Sequence, residues 1–154
     1  MVKSDDIKVI VRNRKARHDY HIDSTVEAGI ELRGSEVKSI REGKVNLSDA
    51  YAVIEDGDVI LKNLHISPYK MAQEPPDPIR PRRLLLHKRE IHKLWTKTEQ
   101  RGMTLIPLSI YFRRHLVKIE LALAVGRKKY DKRQAIAREE ARRKIRRAVR
   151  KDVD

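Results

Sequence analysis

Short β-branched runs broken by charged stretches open the chain. Ile7–Val11 reads as a strand. Asn13–Tyr20 (NRKARHDY) is basic and aperiodic, which predicts a loop or a short turn of helix. Ile22 to Leu32 predicts a second strand, with Gly29 inside it marking a bulge or a sharp bend. Ser35 then reads as the N-cap of a short helix with Glu36 in its first turn. Val37 and Ile40 share a face of that helix and Gly43 ends it. Asp56-Gly57, between Tyr51–Ile54 and Val59–Leu61, signals a hairpin whose second arm His65 and Ile66 extend.

The second half has a different rhythm. Pro68, Pro75, Pro76, Pro78 and Pro81 make Ser67–Arg82 an extended surface loop, because prolines at this density forbid regular structure. His87–Arg101 is helical by period: Ile91, Leu94, Trp95 and Thr98 form one stripe, and Gly102 closes it. Trp95, lying in that stripe, reads as a core residue. Met103–Phe112 and Leu116–Val125 are two further strands joined by the basic turn Arg113-Arg114-His115. Val117, Ile119, Leu121 and Leu123 line one face, which turns Lys118 and Glu120 to the other. From Asp131 onward the chain is helix-prone, but its apolar stripe (Ala137, Ala141, Ile145, Ala148) is thin. Such a helix is marginal alone, so the tail is expected to be disordered when free and helical when bound.

The expected architecture is therefore mainly β with helices, in the α+β class. It is a small antiparallel β-barrel of about six strands, since closure removes exposed edges, with two or three flanking helices. Residues 1–130 are expected to form the barrel domain and 131–154 a basic C-terminal tail.

Charge changes the picture from fold to partner. The chain has 154 residues and a formal net charge of +14. From Gly126 to Asp154 there are 13 Lys/Arg against 5 Asp/Glu, a net of +8, while residues 1–125 hold the other +6. A folded body with a basic arm calls for a polyanion. Further basic segments are Arg12–Arg17, Arg80–Arg83 and Arg113-Arg114. Aromatic residues are only 5% of the chain, which disfavours a single-strand reader built on base stacking and favours recognition by shape and backbone. There are no cysteines, which excludes disulfides and thiolate metal sites. Met1 to Asp6 carry no apolar stretch of a secretory signal, and no run approaches the ~20 apolar residues of a membrane span, in keeping with a cytoplasmic protein.

Catalytic motifs are missing. The sequence holds no GxxxxGK[ST], GxGxxG or GxSxG segment. His18, His21, His65, His87, His92 and His115 form no HExxH, so no metal or other cofactor is expected. Glu139-Glu140, on a charged helix, reads as an ion-pairing feature rather than an acid/base pair. A non-catalytic RNA binder is the leading reading, with a structural ribosomal protein binding rRNA as the alternative.

Specific segments carry this further. Asn13–Tyr20, Glu27-Ala28-Gly29-Ile30, Gly34–Ser39, Asn46–Tyr51, His65-Ile66-x-Pro68-Tyr69, Arg83–His87, Pro107-Leu108-x-x-Tyr111-Phe112 and Asp131-Lys132-Arg133 occur in the order and at the spacing of one family. Over about residues 7–150 the chain resembles small protein B, the tmRNA-binding (SsrA-binding) proteins of bacteria. The resemblance implies an oligonucleotide-binding (OB)-like barrel. It implies binding of the tRNA-like domain of tmRNA and its delivery to stalled ribosomes, where trans-translation tags the unfinished protein for degradation. Its implied partners are tmRNA, the decoding centre and small-subunit rRNA of the ribosome, and an elongation factor carrying aminoacyl-tmRNA.

By motif, the resemblance assigns RNA binding to Asn13, Lys15, Arg17 and His18 in the first loop, to Glu27, to Leu85 and to Lys118. It assigns Gly126, Lys128, Asp131, Lys132 and Arg133 to the segment that enters the decoding centre. Alternation supports Lys118 independently. The Glu27 carboxylate has two open readings, accepting from a base amine or positioning a nearby arginine. Leu85, by composition alone, reads as core.

Overall fold

The computed structural model describes residues 6–153, so the reading of the N-terminus falls, for residues 1–5, outside the described residues, as does Asp154. The elements follow in the order β1 (Ile7–Arg12), α1 (Arg14–Asp19), β2 (Tyr20–Ile30), α2 (Gly34–Arg41), β3 (Val45–Asn46), β4 (Tyr51–Glu55) and β5 (Asp58–Lys62). Then come β6 (His65–Ile66), β7 (Arg82–Leu85), α3 (Lys88–Arg101), β8 (Thr104–Arg113), β9 (Leu116–Gly126) and α4 (Arg127–Val153). This is a mixed α+β fold dominated by one large antiparallel sheet.

Seven strands lie in the order β1-β8-β4-β5-β7-β2-β9, and β8 also pairs with β9. β3 and β6 form a separate two-stranded ribbon. The inner side of the sheet is filled by Ala28, Val59, Leu61, Leu84, Leu105, Ile110, Ile119, Leu121 and Leu123, with Ile40 of α2 and Leu94 of α3 packed in from outside the sheet. The alternation in β9 holds from Val117 to Leu123. In its C-terminal part Ala122 and Ala124 are also buried, and Ala122 joins Ala16 of α1 with Ile106 and Leu108 of β8 in a second small core on the outer side.

Several local expectations are corrected. The N-cap of α2 is Arg33, not Ser35: the Glu36 carboxylate accepts from the Arg33 N–H at 2.9 Å, so the acidic residue satisfies the helix end itself. The irregularity in β2 falls between Ile22 and Ser24, not at Gly29. At Gly29 a Cβ would sit 3.2 Å from the Leu85 Cβ, so the glycine eases the close approach of β7. His65 and Ile66 do not prolong β5. Asn63 turns the chain at φ 60°, and the pair joins β3 instead. The hairpin at Asp56-Gly57 forms with both residues at positive φ, 51° and 80°.

The proline-rich segment ends one residue earlier than expected. Arg82 is fully buried and opens β7, a strand that the sequence reading did not contain. Trp95 is 47% exposed, whereas its neighbour Leu94 is buried. α3 presents only a narrow stripe, Ile91 and Leu94, to the core. The indole lies at the stripe's edge, beside Ile54 and the Asp56-Gly57 hairpin.

Candidate nucleic-acid interface

The outer side of the sheet is polar along one patch, and register explains why. Gly29 of β2 lies opposite Leu85 of β7 on one side and Lys118 of β9 on the other. Lys118 in turn lies opposite Tyr111 of β8. Directly paired residues of antiparallel strands face the same side. Leu85, Gly29, Lys118 and Tyr111 are therefore one row across four strands, on the side away from Ala28, Leu84 and Ile119. Glu27, opposite Glu120, opens the adjoining row. Glu27, Leu85 and Lys118 thus share one face, and Leu85 is 43% exposed rather than core.

Glu27 is tied into this patch. Its Oε2 accepts from the Tyr111 hydroxyl, from Arg113 Nε at 3.0 Å and from Arg113 Nη2 at 2.7 Å. Burial works against the carboxylate's charge. The hydrogen bonds from Tyr111 and Arg113, with the positive charge of Lys118, outweigh it and hold the pKa below the usual carboxylate value. Burial and the Glu27 carboxylate push the Tyr111 phenol up, so it stays a donor. Glu120 also has partners: its Oε1 accepts from Arg17 Nη2 at 3.3 Å and its Oε2 from the Ser109 hydroxyl at 3.2 Å. Tyr111 and Arg113 were not singled out from the sequence as site residues. The period of two in β8, which sets Ser109, Tyr111 and Arg113 on one side, is the signal that contained them; Arg113 had been placed in the turn.

The first loop is a short helix, α1, and Asn13 makes it so. Asn13 Oδ1 accepts from the Ala16 N–H at 3.1 Å and caps the helix. Its Nδ2 donates to the carbonyls of Leu47 (3.3 Å) and Pro107 (3.0 Å). Asn13 is buried and both amide groups are engaged, so it positions the loop. Lys15, Arg17 and His18 lie exposed on it, with His18 Nδ1 3.0 Å from Asp19 Oδ1. Arg17, through Glu120, links the loop to the sheet patch.

The tail residues sit at the start of α4. Arg127 donates to three carbonyls at the end of α1: His18 (3.0 Å), Arg17 (3.3 Å) and Tyr20 (3.4 Å). A guanidinium there satisfies orphan carbonyls and meets the negative helix end. The Tyr130 ring stacks on His21 with centroids 3.7 Å apart. Arg133 Nη2 donates to the Arg101 carbonyl at the end of α3, at 3.3 Å. One side of α4 is thereby fastened to the body, while Lys128, Asp131 and Lys132 are exposed. Gly126 closes β9 opposite Tyr20, with open space where a Cβ would stand. Lys128 and Asp131 share a cleft with His18, so the first loop and the tail are neighbours. Farther along, Glu139 pairs with Arg143 and Arg146.

A charged cluster that the sequence reading missed holds the proline-rich segment. Glu36 is buried and bridges Arg80 and Arg82, the latter at 2.6 Å. Arg82 also donates to the carbonyls of Leu64 (2.7 Å) and Pro78 (3.1 Å). Burial penalises the Glu36 charge, yet the two arginines and the Arg33 N–H lower its pKa below the usual value. Nothing in a linear pattern separates these arginines from their exposed neighbours. Among the described residues no group of His, Asp and Glu has the arrangement of a metal site, and no helix is long and apolar enough to cross a membrane.

Known proteins match this chain along nearly its whole length. It is similar to the SsrA-binding protein of Halothermothrix orenii, 62% identical over 145 residues that cover 94% of each chain. It is 55% identical to the SsrA-binding protein of Caldicellulosiruptor saccharolyticus over 148 residues, covering 96% of this chain and 94% of that one. A solved chain described as "tmRNA-SmpB: a journey to the center of the bacterial ribosome" superposes with a TM-score of 0.64 at 52% identity, covering 75% of this chain and 82% of that one. The family model described as SmpB protein matches residues 10–151, and the chain belongs to the SmpB protein family.

Proposed function

We infer that this chain is an SsrA-binding protein, a non-catalytic RNA-binding factor of trans-translation. It binds the tRNA-like domain of tmRNA and delivers it to stalled ribosomes, so that incomplete proteins are tagged for degradation. The observation that carries the reading is the row Leu85–Gly29–Lys118 with Glu27 beside it, in a chain of this family. Residues from three strands, scattered in sequence, converge on one solvent-facing patch beside the basic first loop.

The body is read as an OB-like barrel. In support, β8 meets both β4 and β9, so β8, β4, β5, β7, β2 and β9 follow one another in a circuit of pairings. Glu27, Leu85 and Lys118, with Lys15, Arg17 and His18, make the tmRNA surface, and Asn13 holds the loop. Gly126, Lys128, Asp131, Lys132 and Arg133 act later, in the decoding centre against small-subunit rRNA. The cationic tail suits a channel lined by phosphates. It is read as a helix that gains its full order only when bound, because its apolar stripe has no partner in the isolated chain. An elongation factor carrying aminoacyl-tmRNA belongs to the same complex, and the work is done in the bacterial cytoplasm. A structural ribosomal protein binding rRNA is the competing reading.

The test is binding of the full-length chain, and of a version ending at Tyr130, to tmRNA and to an ordinary tRNA across a salt series. Both versions are expected to prefer tmRNA. With about six phosphates contacted, log K should fall against log salt with a slope of about −5. Loss of preference for tmRNA, or failure of the shortened chain to bind, moves the ribosomal-protein reading ahead.

A further inference from the structure

Glu27 is an acid beside the central row of a surface read as binding a polyanion, with Glu120 opposite it, and its geometry says what it is for. All three donors that hold it, the Tyr111 hydroxyl and the two Arg113 nitrogens, converge on Oε2. Among the described residues no donor reaches Oε1. The side chain is 34% exposed, and Lys118 and Leu85 stand on the same face. Arginine–carboxylate pairs frequently engage both oxygens in a two-pronged arrangement. Here one oxygen is fixed and the other faces out.

We propose that Tyr111 and Arg113 are positioning residues that fix Glu27 so that its Oε1 accepts a hydrogen bond from a neutral donor of the RNA, a ribose 2′-hydroxyl or a base amine. Tyr111 and Arg113 offset the negative charge that would otherwise repel nearby phosphates. Lys118, beside them, is left to meet a phosphate. Glu27 thereby adds selectivity to a patch whose other charges recognise only backbone. This assignment rests on the tmRNA-binding reading and deepens it.

The test compares E27Q, Y111F, R113A and R113K with the unchanged full chain, on the tRNA-like portion of tmRNA and on an ordinary tRNA, over a salt series. In E27Q the three donors hold the amide oxygen and turn the –NH2 outward, so a donor meets a donor. Affinity for the tmRNA portion is expected to fall roughly tenfold or more, the worth of a hydrogen bond to a charged acceptor, with the salt slope unchanged. Y111F and R113A weaken binding, R113K restores part of the loss, and Y111F adds little once E27Q is present.

On RNA carrying 2′-deoxynucleotides the E27Q penalty disappears if ribose is the donor and survives if a base amine is. E27Q that binds more tightly with a steeper salt slope means that Arg113 has been freed for a phosphate, and it overturns the assignment. So does E27Q that binds like the unchanged chain while that chain prefers tmRNA. No tmRNA preference in the unchanged chain overturns the functional reading, and the assignment with it. Matching unfolding curves for E27Q and the unchanged chain separate a lost contact from a lost fold.

Discussion

Arg82 and Glu36 meet at 2.6 Å with both side chains sealed from solvent, and this pair stitches β7 and the proline-rich segment to α2. The bond spans 46 residues of sequence and is completed by Arg80, by the Arg33 N–H and by the carbonyls of Leu64 and Pro78. Each buried charge has a full set of partners, which offsets the cost of taking both out of water.

Breaking one side leaves the other charge stranded. E36A is expected to cost about 3–5 kcal/mol, measured by urea unfolding, and to free the segment 67–81 for proteolysis. A cost below about 1 kcal/mol, the range of an exposed pair, would show that water reaches the cluster.

The same residue sets an acid limit. The folded pKa of Glu36 lies below the ordinary 4.5, so its contribution is complete above 4.5 and is lost as pH falls through the lowered value. Unfolding free energy should therefore decline below about pH 4.5, and the decline should be shallower in E36Q. Equal slopes in the two proteins would assign the acid limb to other carboxylates.

Gly29 is read as a packing requirement. An added Cβ would press on Leu85 at 3.2 Å. G29A should cost about 1–3 kcal/mol, typical of overpacking, and weaken tmRNA binding by displacing Leu85. Unchanged tmRNA affinity at reduced stability would separate Leu85's position from recognition.

Lys118 should behave as a phosphate contact. K118A is expected to weaken tmRNA and tRNA binding by similar factors and to reduce the salt slope by about 1. A loss confined to tmRNA, at constant slope, would make it a reader of bases instead.

Trp95 and Leu94 test the corrected helix face. L94A should cost about 2–5 kcal/mol and W95A under about 1, since one side chain is buried and the other 47% exposed. Equal costs would return the indole to the core.

By itself the sequence determined the strands at either end, the Asp56-Gly57 hairpin, helix α3, the basic tail and the family. Those follow from period, turn chemistry and ordered motifs, which are local and repeat along the chain. It also put Lys118 on the outer face, because alternation within one strand needs no partner.

Tertiary structure alone decided the rest. Leu85 is apolar and reads as core until β7 is paired, and Arg82–Leu85 pairs only because β2 and β5 lie on either side. Arg80 and Arg82 look like surface charge until Glu36 of α2 arrives between them. Trp95 shares its helical stripe with Leu94, yet the core takes only a narrow edge of α3. Tyr111 and Arg113 matter through Glu27, more than 80 positions away. Periodicity fixes which way a side chain faces within its own element. What it faces is set by contacts across the chain, and those form only when the strands are brought into register.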